Sequence, residues 1–179
     1  MPPPIPPAPV GTLMLNTPGP SLVIEAFVDF CCPFSKKLFT TVYALMPSLA
    51  GGGKVDLLLQ CVPQPWHAQS AYMHEAALAV KSIDESKFFV ACEALFAAQE
   101  AFFDAPTADK SANQIKAELA EVVSKATDLD TAAVIEQLAI KGEGNCGNST
   151  TPNMKWAIKY HRVRSSESLI IANHFQVHR

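Results

Sequence analysis

Leu22 to Lys36, LVIEAFVDFCCPFSK, is the stretch that decides the fold. Residues 22–30 are rich in β-branched and aromatic side chains and almost continuously apolar, as in a strand covered on both faces. Pro33 then suits the first position of a helix, where a missing N–H leaves nothing unsatisfied. Phe34, Leu38, Val42, Leu45, Met46 and Leu49 recur at helical spacing and predict a single apolar face for that helix. Pro47 is expected to kink or end it, and Gly51-Gly52-Gly53 to stop it. Lys54 to Val62, KVDLLLQCV, reads as a second strand, closed by Pro63 and Pro65. Strand, helix and strand in such quick succession predict a βαβ unit with parallel strands and a right-handed crossover.

Outward from this unit the chain changes character. Eight of its 14 prolines fall in the first 20 residues, so 1–18 reads as an extended arm. Thr12 to Asn16 within it is expected to add a short edge strand. Residues 68–142 read as helical throughout: HEAALAV and FFVACEALFAAQEAFF carry the helical period. Asp84, Ser111 and Asp130 stand where helix N-caps belong, and Gly142 is expected to close the last helix. The 12 acids and 6 bases of this block suggest a solvated surface rather than a binding patch. Thr151-Pro152 opens a helix expected to reach about Arg162, and Ser168 to Ala172, SLIIA, a third core strand. The expected class is α/β, a core from 19–67 and 143–179 interrupted by an all-helical insertion at 68–142.

Composition excludes several classes of function. The 179 residues are 49% hydrophobic and 17% charged, with a net charge of −3. A chain of this length buries roughly 70% of its unfolded surface, so it folds without disulfides or metal. It is too apolar to be disordered. No apolar run reaches the length of a membrane span, and the mild acidity gives no reason to expect nucleic acid. MPPPIPPAPVG lacks the basic and apolar regions of a secretory signal, so a cytoplasmic location is expected. Five cysteines, at 31, 32, 61, 92 and 146, are too few and odd in number for a disulfide framework. Cys31 and Cys32 are adjacent and His67 and His74 seven apart, so no metal site assembles locally. GGGK at Gly51 to Lys54 lacks the flanking residues of a phosphate loop and reads as a turn.

The chemistry concentrates at the strand-to-helix junction. A cysteine at a helix N-cap faces unpaired backbone N–H groups and the positive end of the helix dipole, and both favour thiolate over thiol. Cys32 is therefore the candidate nucleophile, the alternative being a small buried residue that merely precedes a helix. Ser35, three residues on, is expected to share its face and donate a hydrogen bond to the thiolate. Cys61 and Cys92 read as core residues, Cys146 as a reachable thiol on a polar loop. A vicinal Cys31–Cys32 disulfide would be strained and is not expected. His67 reads either as a partner of the thiolate across the fold or, more ordinarily, as a capping or packing residue. Trp66 and Tyr72 are expected in the core or in a groove wall.

Phe27-Val28-Asp29-Phe30-Cys31-Cys32-Pro33-Phe34-Ser35 resembles the F-x-D-x-x-C-P-x-C segment of DsbA-like thioredoxin-fold proteins. Pro63-Gln64-Pro65-Trp66-His67 resembles the loop that enters their helical insertion, and the order of elements is similar too. The likeness runs from about Gly19 to Phe103 and more loosely to Ala172. It implies a thioredoxin-like core with Cys32 and Ser35 in the catalytic positions, and Pro33, Phe34, Trp66, His67, Ser166 and Glu167 around the substrate. Three departures stand out. Ser35 replaces the resolving cysteine, which excludes a C-x-x-C cycle. Glu167 falls where the family places a proline beside the thiol, just before the third core strand. Only seven residues follow Ala172, which leaves the final strand and helix of such a fold to be completed otherwise or lost to truncation.

What the resemblance implies is thiol–disulfide exchange, here with one active-site thiol. Cys32 would attack a small-molecule or polypeptide disulfide, and a co-substrate thiol such as glutathione would resolve the product. No bound cofactor is expected, and the oligomeric state is open. Two other readings stand beside it: a glutathione transferase or isomerase similar to the kappa class, and a non-catalytic scaffold on the same fold.

Overall fold

The computed structural model describes residues 11–15, 22–49, 55–167 and 175–178, with side chains described through residue 161. Strand β2 (Leu22–Val28) leads through a tight turn into α1 (Pro33–Leu49), and β3 (Val55–Cys61) returns beside β2. The two strands pair in parallel from Leu22 opposite Val55 to Val28 opposite Cys61, the expected βαβ unit. A further bond from the Val62 N–H to the Val28 carbonyl extends the ladder to the end of the sheet where α1 begins. Strand β1 (Thr12–Leu13) pairs antiparallel with β3, the short edge strand read from the arm. Residues 1–10 and 16–18 of that arm lie outside the described residues, as do Gly51 to Gly53.

Helices α2 (Ser70–Ile83), α3 (Phe88–Ala97), α4 (Asp104–Thr107), α5 (Ala112–Thr127) and α6 (Thr131–Leu138) form the helical block. Its caps fall where the sequence places them. Ser111 and Gln114 form a reciprocal capping box on α5, and Asp130 accepts from the Ala132 N–H at α6. Asp84 caps a short 3-10 turn before α3 in the same way. Gly142 does not close the last helix: α6 ends at Leu138, and Gly142 sits in the following loop at φ 105°. Helix α7 (Thr151–Glu167) runs past the expected end near Arg162. The expected third strand, Ser168 to Ala172, lies outside the described residues. The strand described beyond α7 is β4 (Phe175–His178), antiparallel to β2, giving the sheet order β1-β3-β2-β4.

Helix α1 turns only part of the predicted face inward: Met46 is buried, and Leu38 and Val42 are half-buried against the core. Phe34, Leu45 and Leu49 are exposed, while Ser35, Phe39 and Met46 are buried. Pro47 lies inside the helix and does not end it. From the buried face a chain of rings joins the core to the insertion. Phe39 packs on Tyr43 and on Phe96 of α3, and Phe96 on Phe30 (centroids 4.8–5.0 Å apart). Such ring pairs each contribute about 0.5–1.5 kcal/mol beyond the area they bury. Core and insertion thus share one hydrophobic cluster.

His74 of α2 closes this cluster against Phe30, at 4.7 Å between ring centroids. It is fully buried and neither ring nitrogen has a hydrogen-bond partner. Burial lowers its pKa from 6.5 to about 4, against a smaller opposing pull from Asp29. Below pH 6.5 the unfolded chain binds a proton that the folded chain refuses until about pH 4, so stability falls across that window as pH drops. The loss amounts to roughly 3 kcal/mol when complete. His74→Leu is expected to lose less stability than wild type between pH 7 and pH 4.5. Urea midpoints of both proteins at the two pH values check this, and equal shifts would count against it.

Candidate functional site

The turn between β2 and α1 is built by Asp29. Its carbonyl accepts from the Cys32 N–H (3.0 Å), and its carboxylate Oδ1 accepts from the Cys31 N–H (2.7 Å). The second bond is an Asx-turn, in which a short acidic side chain takes the place of backbone. Cys32 follows as the N-cap of α1, its carbonyl accepting the first helical bond from the Lys36 N–H (3.1 Å). Pro33 is the first helical residue, as expected. Cys32 itself is 5% exposed and unbridged.

Ser35 is buried on the inner face of α1. Its Oγ accepts from the Asp29 N–H at 3.1 Å, tying the helix to the strand end.

The Asp29 carboxylate reaches well beyond its own turn. It is 1% exposed, and Oδ1 also accepts from the Ser70 hydroxyl (2.7 Å). Oδ2 accepts from the Gln64 N–H (2.9 Å) and pairs with His67 Nδ1 (3.0 Å). Four donors on one buried carboxylate fasten the end of β2, the loop after β3 and the start of α2 together. A carboxylate only accepts, so His67 carries its proton on Nδ1 in this pair.

Beside this network lies a cavity of about 320 Å³ lined by Cys31, Pro33, His67, Gln69, Phe103, Asp104 and Ala105. The residues on both sides of Cys32 therefore face the same space as His67. The far wall is held by Gln69 Nε2 donating to Asp104 Oδ1 (3.0 Å) and by Gln99 Nε2 donating to the Phe30 carbonyl (2.7 Å). Cys31 is no rival nucleophile. Its Sγ lies 3.4 Å from Met73 Sδ, and burial, reinforced by Asp29 and Asp104, raises its pKa to about 12. Burial likewise pushes Cys61 up to about 12 and Cys92 upward, which fits their reading as core residues. Cys146 is exposed on its loop.

The other predicted substrate residues divide. Trp66 is 64% exposed and sits edge-on to His67, walling a second hollow of about 390 Å³ between the loop after β3 and α7. It is groove wall and not core. Phe34 is 71% exposed beside the N-terminus of α1. Ser166 and Glu167 belong to the last turn of α7 and not to a loop leading into a strand. Among the described residues no cluster of side chains could hold a metal ion, and no helix is long and apolar enough to cross a membrane. Asp29 is the residue of this site that sequence reasoning passed over, although it stands inside the quoted motif.

No protein-family model matches the chain, and no curated protein sequence matches it significantly. Solved structures do. The thiol-disulfide oxidoreductase MdbA of Corynebacterium diphtheriae superposes with a TM-score of 0.68 at 17% identity, over 95% of this chain and 82% of that one. A candidate protein-disulfide isomerase from Pseudomonas syringae gives 0.63 at 22% identity, over 88% and 82%. Oxidised BdbD of Bacillus subtilis gives 0.64 at 14%, over 94% and 81%. The fold is that of the DsbA-like thioredoxin-fold proteins, a thioredoxin-like core with a helical insertion, as the resemblance implied.

Removing the Asp29 carboxylate strands two N–H groups, a hydroxyl and an imidazole in the interior. Asp29→Ala is expected to cost roughly 3–5 kcal/mol, the scale for breaking a buried charged network. Asp29→Asn, which keeps an acceptor oxygen, is expected to cost clearly less. Guanidinium unfolding of both variants measures the two losses, and a cost under about 1 kcal/mol for Asp29→Ala would show that the network is not what holds the junction.

Proposed function

We propose that this protein carries out thiol–disulfide exchange through Cys32 as its one active-site thiol. The observation that carries the reading is the seat of Cys32 at the N-cap of a 17-residue helix, on the fold shared with thiol-disulfide oxidoreductases. Helix N-termini stabilise thiolate, and the thiolate is the attacking species. In the first step Cys32 Sγ bonds to one sulfur of a disulfide, the S–S bond breaks, and the second sulfur leaves with the electron pair and takes up a proton. Ser35 has no thiol to reverse this. An external thiolate then attacks the substrate sulfur of the mixed disulfide, forming a new disulfide and releasing Cys32. Glutathione is the proposed external thiol, and a reducing, glutathione-rich cytoplasm suits such a cycle. The substrate is any disulfide, small or polypeptide, that reaches the cavity beside Cys32.

Iodoacetamide labelling of the native protein, mapped by mass spectrometry from pH 5 to 9, tests the site. Cys32 is expected to react first at the acid end, Cys146 to overtake only as pH rises, and Cys31, Cys61 and Cys92 to stay unlabelled. Labelling of Cys146 ahead of Cys32 at low pH would remove Cys32 from the role.

A second test restores what the motif lacks. Ser35→Cys is expected to form a reducible disulfide with Cys32 and to raise dithiol oxidoreductase activity above that of the parent. The same substitution removes the Ser35 acceptor from the Asp29 N–H, so a loss of about 1 kcal/mol in stability accompanies it. If the introduced thiol stays free in oxidising buffer, the turn does not have thioredoxin-like geometry.

A further inference from the structure

We propose that His67, held by Asp29, is the proton carrier of the exchange reaction and delivers a proton to the departing sulfur. The inference rests on the Cys32 reading above and adds a catalytic residue and a positioning residue to it. His67 Nδ1 is 3.0 Å from Oδ2 of a carboxylate that is itself buried and fully engaged. That contact fixes the ring and its tautomer and leaves Nε2 outside it, on a residue that lines the cavity with Cys31 and Pro33. A buried acid holding an imidazole at the wall of a substrate space is the arrangement general acid–base chemistry uses. A packing role does not need it: packing is served by the ring, and capping of the loop by the backbone bonds of Gln64 and Ser70. The other titratable groups at this cavity are Asp104, already bonded to Gln69, and the Cys31 thiol, which burial keeps neutral.

The proton balance closes with one proton from solvent. Cys32 Sγ attacks as the thiolate that the helix N-terminus favours, while Nε2 carries the proton taken from solvent. The disulfide breaks, one sulfur stays on Cys32, and the other leaves with the electron pair and takes the proton from Nε2. His67 ends neutral, and one disulfide has been exchanged for another with no net oxidation. Asp29 takes no proton; it orients the ring and stabilises the transient imidazolium.

The test compares leaving groups. An aromatic disulfide such as 5,5′-dithiobis(2-nitrobenzoate) expels a thiolate stable without a proton, whereas bis(2-hydroxyethyl) disulfide expels one that needs it. His67→Ala and His67→Asn are expected to slow reaction with the aliphatic disulfide by ~10²-fold, the lower end for general acid–base catalysis, and with the aromatic one by less than about threefold. Added imidazole should restore much of the aliphatic rate in His67→Ala. His67→Asn keeps a side-chain donor for Asp29, so a purely structural role predicts near wild-type rates for it with both disulfides. Equal slowing on the two substrates, a fully active His67→Asn, or no rescue by imidazole each overturns the proposal. Cys32→Ser separates the two levels of the argument. If it reacts as wild type, the thiol assignment itself is wrong; if it is dead while the His67 variants treat both disulfides alike, only the role of His67 falls.

Discussion

A single buried carboxylate decides how the parts of this molecule meet. Asp29 stands at the end of a strand whose interior is apolar, and an unpaired charge there would be prohibitive. Its oxygens are saturated by Cys31, Gln64, His67 and Ser70, and its own backbone holds Cys32 and Ser35. The strand, the start of α1, the loop after β3 and the start of α2 are fixed by the same group. Moving any one of them leaves a donor unsatisfied in the interior, which costs about 1–3 kcal/mol each. This gives the turn bearing Cys32 a rigidity that a loop on the surface does not have.

The same constraint explains what the sequence revealed and what it concealed. The βαβ unit was legible because its signals are local: a doubly covered strand, a proline at the first helical position and a second apolar strand. The caps at Ser111 and Asp130 were legible for the same reason. The buried face of α1 was legible only in part. Ser35 begins that face because Asp29 binds it, and the stripe then runs through Phe39 and Met46. Met46 was read correctly, but the polar residue at the head of the stripe hid Ser35 and Phe39 and drew the reading toward Phe34 and Leu45. The reach of α7 past Arg162 was hidden by its weak apolar pattern.

Asp29 itself was visible in the motif but silent in function. Its partners Gln64, His67 and Ser70 lie 35, 38 and 41 residues away, beyond any local spacing rule. A cue did exist: an acid between apolar neighbours at a strand end must find donors somewhere, and a His and a Ser three residues apart after a Pro-x-Pro turn can supply them. The seat of Cys32, by contrast, depends only on its own neighbours, and so it was found. The exposure of Trp66 was open in the sequence between core and groove wall, and only the third dimension places it on the wall.

On the proposed function, Ser35 and Cys31 would together set the lifetime of anything covalently held at Cys32. A partner cysteine three residues on would break a mixed disulfide in a unimolecular step, as fast in dilute solution as in concentrated. A hydroxyl cannot do so, and the adjacent thiol of Cys31, its pKa raised by burial to about 12, is a poor source of thiolate. Escape then becomes bimolecular and proportional to the thiol concentration around the protein. Each adduct at Cys32 would be a clock whose rate is the reducing strength of the surroundings, short in a thiol-rich medium and long in an oxidised one.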